Sequence, residues 1–143
     1  MSQSDFETLV AGVCERIGLT QPEGVLRGEG IVFDGVYFSI AYNEKVCPHS
    51  VFVYFDYGVP PRAFENLVFA HLLKENEHRI RRQLPIFSIA PQGDRVVGMH
   101  RFSVKGITAA QLVEQMTYMA AAVNSWKEID WSAVAGRDRV VTR

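Results

Sequence analysis

This sequence predicts an α+β fold: three helices packed on a mostly antiparallel sheet of about five strands, in the order α-β-β-β-α-β-β-α. Three observations carry that expectation. Apolar stripes of helical period open, divide and close the chain. Between them the period falls to two, over runs rich in β-branched and aromatic residues. The connections between those runs are short, which suits antiparallel pairing and is too little for parallel crossovers.

The first helix is predicted to open at Ser4-x-x-Glu7, the spacing of a capping box. Phe6, Leu9, Val10, Val13 and Ile17 then recur at helical intervals, and Gly18 supplies the stop. Burying such side chains is worth roughly 1.5–3 kcal/mol each, so the stripe must meet a sheet, a second subunit or a partner. Residues 19–30, with Pro22 and three glycines, read as a loop. IVFDGVYFSIAYNE follows, with the hairpin signal Asp34-Gly35 between two β-prone runs. SVFVYFDYG (50–58) is the next strand.

Pro60-Pro61 ends that strand and pre-sets the first turn of a second helix, RAFENLVFAHLLKEN. Its apolar residues Phe64, Leu67, Val68, Phe69, Leu72 and Leu73 span a sector wide enough to predict burial on two sides. LPIFSIAPQGDRVVGMHRFSV (84–104) reads as a hairpin turning at PQGD. Thr108-x-x-Gln111, another capping box, opens the last helix. Leu112, Met116, Met119, Ala120 and Val123 form its inner stripe, with Trp126 near its end. Residues 128–143 show no firm period and are expected to be a C-terminal tail of the one domain 1–143, its last eight residues loose.

The length of 143 residues suits a single domain with its own core. At 48% hydrophobic and 22% charged the composition is that of an ordinary globular protein. A formal charge of −1 argues against nucleic acid, whose binders carry a basic excess. Cys14 and Cys47 fit no zinc or redox spacing and read as reduced thiols of a cytoplasmic protein. MSQSDFETL has neither the basic nor the apolar region of a signal peptide, and no run nears the ~18 apolar residues of a membrane helix. A cytoplasmic protein without membrane insertion is therefore expected.

One stretch invites a chemical reading. FAHLLKENEHRIRR (69–82) holds Glu75-x-x-His78, with His71 one turn earlier, so an unbroken helix would put all three on one face. Carboxylate-bridged metal bundles need two such helices and further glutamates, and this chain has one motif. The run NEHRIRRQLP is moreover predicted to leave the helix near Asn76, which would carry His78 off the face. No metal site is expected. Cys47-Pro48-His49 reads as a turn, because loop neighbours seldom align for thiol activation. Arg79, Arg81 and Arg82 read as solvated charge on the connection to the next strand. No phosphate-binding glycine loop or nucleophile motif is present, so neither enzyme activity nor a cofactor is expected. What stands in excess is aromatic surface, with nine Phe, five Tyr and two Trp, and an exposed share of it would serve protein–protein contact.

YFDYGVPPRAFENLVFAHLLKEN resembles the segment of CesT/Tir-type (class I) type III secretion chaperones in which a strand ends in D-x-G and a proline, and a helix follows that closes on a leucine pair and an asparagine. Here those residues are Asp56, Gly58, Pro60, Leu72, Leu73 and Asn76. IFSIAPQGDRVVGMHRF is similar to the next hairpin of that family and ITAAQLVEQMTYMAAAVNSW to its last helix, so the resemblance spans roughly residues 5–127. It implies a bacterial cytoplasmic homodimer without catalysis or cofactor, which binds the N-terminal region of a secreted effector in extended form and keeps it soluble and competent for secretion. It further implies a dimer contact through the middle helix, with Leu67, Val68, His71 and Leu72 as candidates. Phe6, Leu9, Val10, Val13, Phe38 and Ile40 are the candidates for effector grooves. Many members of the family are distinctly acidic and this chain is near neutral. That leaves open an alternative, a YbjN-like regulatory module of similar fold that binds protein without being a secretion chaperone.

Overall fold

A computed structural model describes residues 2–141, with side chains placed for residues 3–137. Helix α1 (Ser2–Ile17) and the short helix α2 (Pro22–Leu26) precede three strands, β1 (Ile31–Phe33), β2 (Val36–Ala41) and β3 (Ser50–Gly58). A 3-10 turn (Arg62–Phe64) leads into α3 (Glu65–Arg81), then β4 (Ile86–Ile89), β5 (Val96–Ser103), α4 (Ala109–Trp126) and α5 (Trp131–Val141). The predicted order is present, with α2 and α5 added to the three expected helices.

The five strands form one antiparallel sheet in the order β1-β2-β3-β5-β4. Asp34 and Gly35, with φ of 50° and 76°, make the left-handed turn between β1 and β2 that the Asp-Gly pair predicts. Register aligns Ile31, Phe38, Phe55, Gly98 and Phe87 in one row across all five strands. This face is the core. Helices α1 and α4 pack against each other and close it with Leu9, Val10, Val13, Leu112, Met116 and Val123. Gly98 has a reason in this row, since a Cβ there would lie 2.3 Å from the Phe55 ring.

Four local expectations are corrected. Helix α1 already includes Ser2 and Gln3, so Ser4 lies inside it and does not cap it. Pro22–Leu26 is helical where a loop was expected, because Pro22 suits the first turn and Val25 is buried. Helix α3 continues past Asn76 to Arg81, so the charged run that reads as an exit is helix. Its charges are in helix-favouring order: Glu77 and Arg81 pair at 3.0 Å across one turn, and the cations sit at the negative end of the dipole. The chain turns out only at Gln83, which has φ of 55°. Finally, α5 occupies most of the segment read as a tail. It starts at Asp130, whose carboxylate accepts hydrogen bonds from the Ser132 and Ala133 amides. The expected looseness of the last eight residues falls largely beyond Arg137, outside the described side chains. The Thr108–Gln111 capping box forms with both its bonds.

Helix α3 lies along edge strand β4. Asn76 joins them: its Oδ1 accepts from the Phe87 amide at 2.8 Å, and its Nδ2 donates to the Phe87 carbonyl at 2.9 Å. One carboxamide thus stands where a sixth strand would pair, and closes that edge at its middle.

Candidate functional site

Alternation along a strand sends every second side chain to the opposite face. On β2 and β3 those residues are Tyr37, Ser39, Phe52, Tyr54 and Asp56; register sets Val97 and Met99 of β5 beside them, then Ser88 and Ile86 of β4. Helices close the other side of the sheet and leave this one open. Tyr37 is 51% exposed, Tyr54 38%, and Val32 of β1 74%. The two tyrosine rings form the wall of a shallow groove of about 590 Å³, completed by Ile89 at the end of β4 and by Ala90 and Pro91 of the β4–β5 turn.

A charged pair closes one end of the groove. Arg95 donates through Nη2 to Asp56 Oδ2 at 2.6 Å and through Nε to Oδ1 at 3.2 Å, and the Gly58 amide donates to Oδ1 at 2.8 Å. Partial burial alone would raise the Asp56 carboxyl. The Arg95 bonds, the Gly58 amide and the Arg95 charge outweigh it and hold the group below the usual carboxylate range. The D-x-G segment therefore has a local role: its aspartate fixes the strand end to the β4–β5 turn. The groove offers apolar contact, hydroxyls and an anchored ion pair. Such a surface is suited to contact with side chains and backbone.

A second apolar surface follows the outer side of α3. Leu73 is 72% exposed and Ile80 61%, and both lie on the flank of Phe69. Between this flank and β4 runs a groove of about 430 Å³ lined by Phe69, Leu73, Asn76 and Ile89.

The residues singled out from sequence are distributed as follows. Phe6, Leu9, Val10, Val13, Phe38 and Ile40 all lie in the core beneath α1 and α4. Val68 and Leu72 are buried where α3 meets the body of the molecule, and Leu67 is half-buried. His71 is at the surface with its ring edge-on to Trp131, the centroids 5.8 Å apart. On the unbroken helix His71, Glu75 and His78 still do not converge. Glu75 faces Arg79 at 3.7 Å and His78 faces Arg82 at 3.4 Å. Among the described residues no three His, Cys, Asp or Glu side chains are grouped to hold a metal ion. No helix among them is long and apolar enough to cross a membrane.

Sequence reasoning passed over Tyr37, Tyr54, Val97 and Ile80 as site residues, and named Leu73 only as part of the apolar sector of the second helix and of its leucine pair. A signal for the tyrosines was present in SVFVYFDYG, whose apolar residues occupy both parities of the strand and so serve both faces.

Comparison with solved structures places this architecture. A structure of the ExsC–ExsE complex superimposes with a TM-score of 0.66 at 16% identity, over 88% of this chain and 93% of that one. The Yersinia pestis type III secretion chaperone SycH, in complex with a stable fragment of YscM2, matches with a TM-score of 0.57 at 12% identity, over 85% and 98%. The HopA1–SchA chaperone–effector complex matches with 0.58 at 10% identity, over 89% and 98%. The fold is that of the type III secretion chaperones. No protein-family model and no curated protein sequence matches the chain. At such identities the fold is shared while the surface residues are this chain's own, so the open sheet face and the α3 flank have to be read from their own chemistry.

Proposed function

We propose that this protein is a secretion chaperone, acting as a homodimer in the bacterial cytoplasm. It binds the N-terminal region of a secreted effector in extended form and keeps that effector soluble and competent for secretion. The observation that carries the reading is the open sheet face, where Tyr37 and Tyr54 stand exposed along an apolar groove and Val32 is exposed on the neighbouring strand. An apolar patch of this kind, retained on a small domain, marks a binding surface. Two of the structural neighbours are described as chaperones and were solved with a partner bound, which supports the same use here.

In this proposal the dimer forms through α3. Leu67 and His71 lie on one of its flanks, Leu73 and Ile80 supply the exposed apolar contact on the other, and Val68 and Leu72 support both from beneath. The candidates on α1 and β2 (Phe6, Leu9, Val10, Val13, Phe38 and Ile40) shape the effector surface from within, by holding the sheet whose other face does the binding.

The test is purification of the chain from its source cell under secreting conditions, followed by light scattering and protease mapping of the complex. A dimer protecting an extended N-terminal segment of one partner is the expected result, and Tyr54→Asp should abolish the association. A protected folded domain would favour the YbjN-like reading instead. A free dimer alone, under active secretion, would overturn the proposal.

A further inference from the structure

Gly28 and Gly30, which lead into β1, are glycines for different reasons. Gly28 has φ of 93°, in the left-handed region, and a Cβ there would meet nothing among the described residues. Its backbone asks for glycine. Gly30 lies outside that region, so its backbone would suit any residue. What the position does not admit is the Cβ itself, which would overlap the Tyr37 ring at Cζ, Cε2 and Oη. Space and not conformation requires glycine here.

Register shows what that space does. Ile31 pairs with Phe38, and Ser39 with Tyr54. One step before Ile31 brings Gly30 level with Ser39, so a row across the open face reads Gly30, Ser39, Tyr54. Tyr37 stands in the next row, opposite Val32. Its ring leans diagonally, a reach that aromatic side chains have across paired strands, and lies over Gly30. Rings cover edge glycines in this way in other sheets. Ser39 is then the small residue left between two rings, with Tyr37 over Gly30 on one side and Tyr54 on the other. All three line the groove, and Ser39 is half-buried at its floor. A side chain at Gly30 would displace the Tyr37 ring, and the groove would lose its wall on the β1 side.

We propose that Gly30 is the positioning residue of the groove. Its missing side chain seats the Tyr37 ring on the sheet edge, and so holds open a slot above Ser39 that takes one apolar side chain of the bound partner. The proposal rests on the reading of the open face as the binding surface, and adds to it the residue that sets the slot and the chemistry of what enters. The entrant is apolar because rings form both walls. Asp56, at the end of the groove, is already satisfied by Arg95 and the Gly58 amide and recruits no cation.

NMR on the full chain tests both halves. In the unmodified protein the Gly30 Hα protons should show the upfield shift of hydrogens lying under an aromatic ring, and Tyr37→Leu should remove it. Unshifted Gly30 protons would overturn the seating without any change at that position. N-acetylphenylalaninamide is then titrated as the probe, and should move the Ser39 and Tyr54 amides saturably. Gly30→Ala should weaken its binding about tenfold, and Ser39→Leu, which fills the slot from its floor, should abolish it. In a Tyr37→Ala background the same Gly30→Ala change should make no difference, since the ring it displaces is gone. Equal weakening in both backgrounds would reduce Gly30 to a structural role and overturn the proposal. Unchanged binding by Gly30→Ala protein, with the Phe38 and Phe55 amides at their original shifts, would do the same. The absence of any saturable shift in the unmodified protein would overturn the slot itself. None of these outcomes needs an effector, so the secretion reading stands or falls separately, on the purification described for it.

Discussion

The two faces of the sheet come from the same strands and are both rich in apolar residues, yet one is closed and the other open. On the closed face Ile31, Phe38, Phe55 and Val53 are almost wholly withdrawn from solvent under α1 and α4. On the open face Val32, Tyr37 and Tyr54 remain exposed although they are chemically similar. The difference lies in what covers them and not in composition. Apolar side chains on the first face stabilise the monomer; those on the second can contribute fully only when another molecule arrives.

The largest expected effect breaks the comparison at its centre. Phe38→Ala should cost about 3–5 kcal/mol in urea unfolding, through lost transfer energy and a cavity. Tyr54→Ala, on the neighbouring strand but facing the other way, should change stability by no more than about 0.5 kcal/mol. Comparable losses would show that the open face is part of the folded core after all.

Adjacent residues of β5 sharpen the same point. Gly98 faces the core, and Gly98→Ala sets a methyl against the Phe55 ring, an overpacking that should cost about 1–3 kcal/mol. Val97 faces the open groove, and Val97→Thr should be nearly neutral to folding while weakening partner binding. The two edges of the sheet differ in a related way. Edge β4 is closed by the Asn76 carboxamide, whereas β1 is only three residues long and escapes pairing by its shortness. Asn76→Ala should leave two backbone groups of Phe87 without partners, at about 1–2 kcal/mol, and should increase self-association through the bared strand. Unchanged stability would mean that water replaces the side chain without loss.

Much of this was legible in the sequence. The five strands follow from period-two runs, and the Asp34-Gly35 turn from the only residue pair there that suits two left-handed positions. The inner stripe of α4 is visible from Leu112 to Val123 because helical period and burial coincide there. Where period and burial separate, the reading fails. Residues 77–81 look like an exit from helix because they are charged, but charge at a helix end facing solvent is compatible with helix. Helix α5 escapes detection because, among its described side chains, only Trp131 is buried and only Val134 and Ala135 are half-buried, too few to form a periodic signal. The open sheet face is the hardest part to see. Tyr37 and Tyr54 resemble core residues in sequence, and only the packing of α1 and α4 on the other side shows that they are left over.

The smallest expected effects concern pH, and they separate the two faces once more. His100 aligns with Val53 in a core-facing row, and burial lowers its pKa, so the unfolded chain takes up the proton first. Its contribution to stability therefore falls as pH drops below the ordinary imidazole value of about 6.5, and levels off below the folded value. Asp56 at the open groove is lowered against burial by Arg95 and Gly58, so its contribution is complete above the ordinary carboxylate value of about 3.9 and lost as pH falls through the folded one. Because Arg95 is more than half exposed, solvent screens the pair and its worth stays under about 1 kcal/mol. Urea midpoints taken between neutral and strongly acidic pH should show the two losses in separate windows. His100→Gln should remove the upper one, and Arg95→Gln should shrink the lower one. If Arg95→Gln left the acid limb unchanged, the D-x-G aspartate would owe its low value to the Gly58 amide, and the groove would be closed by a turn instead of by an ion pair.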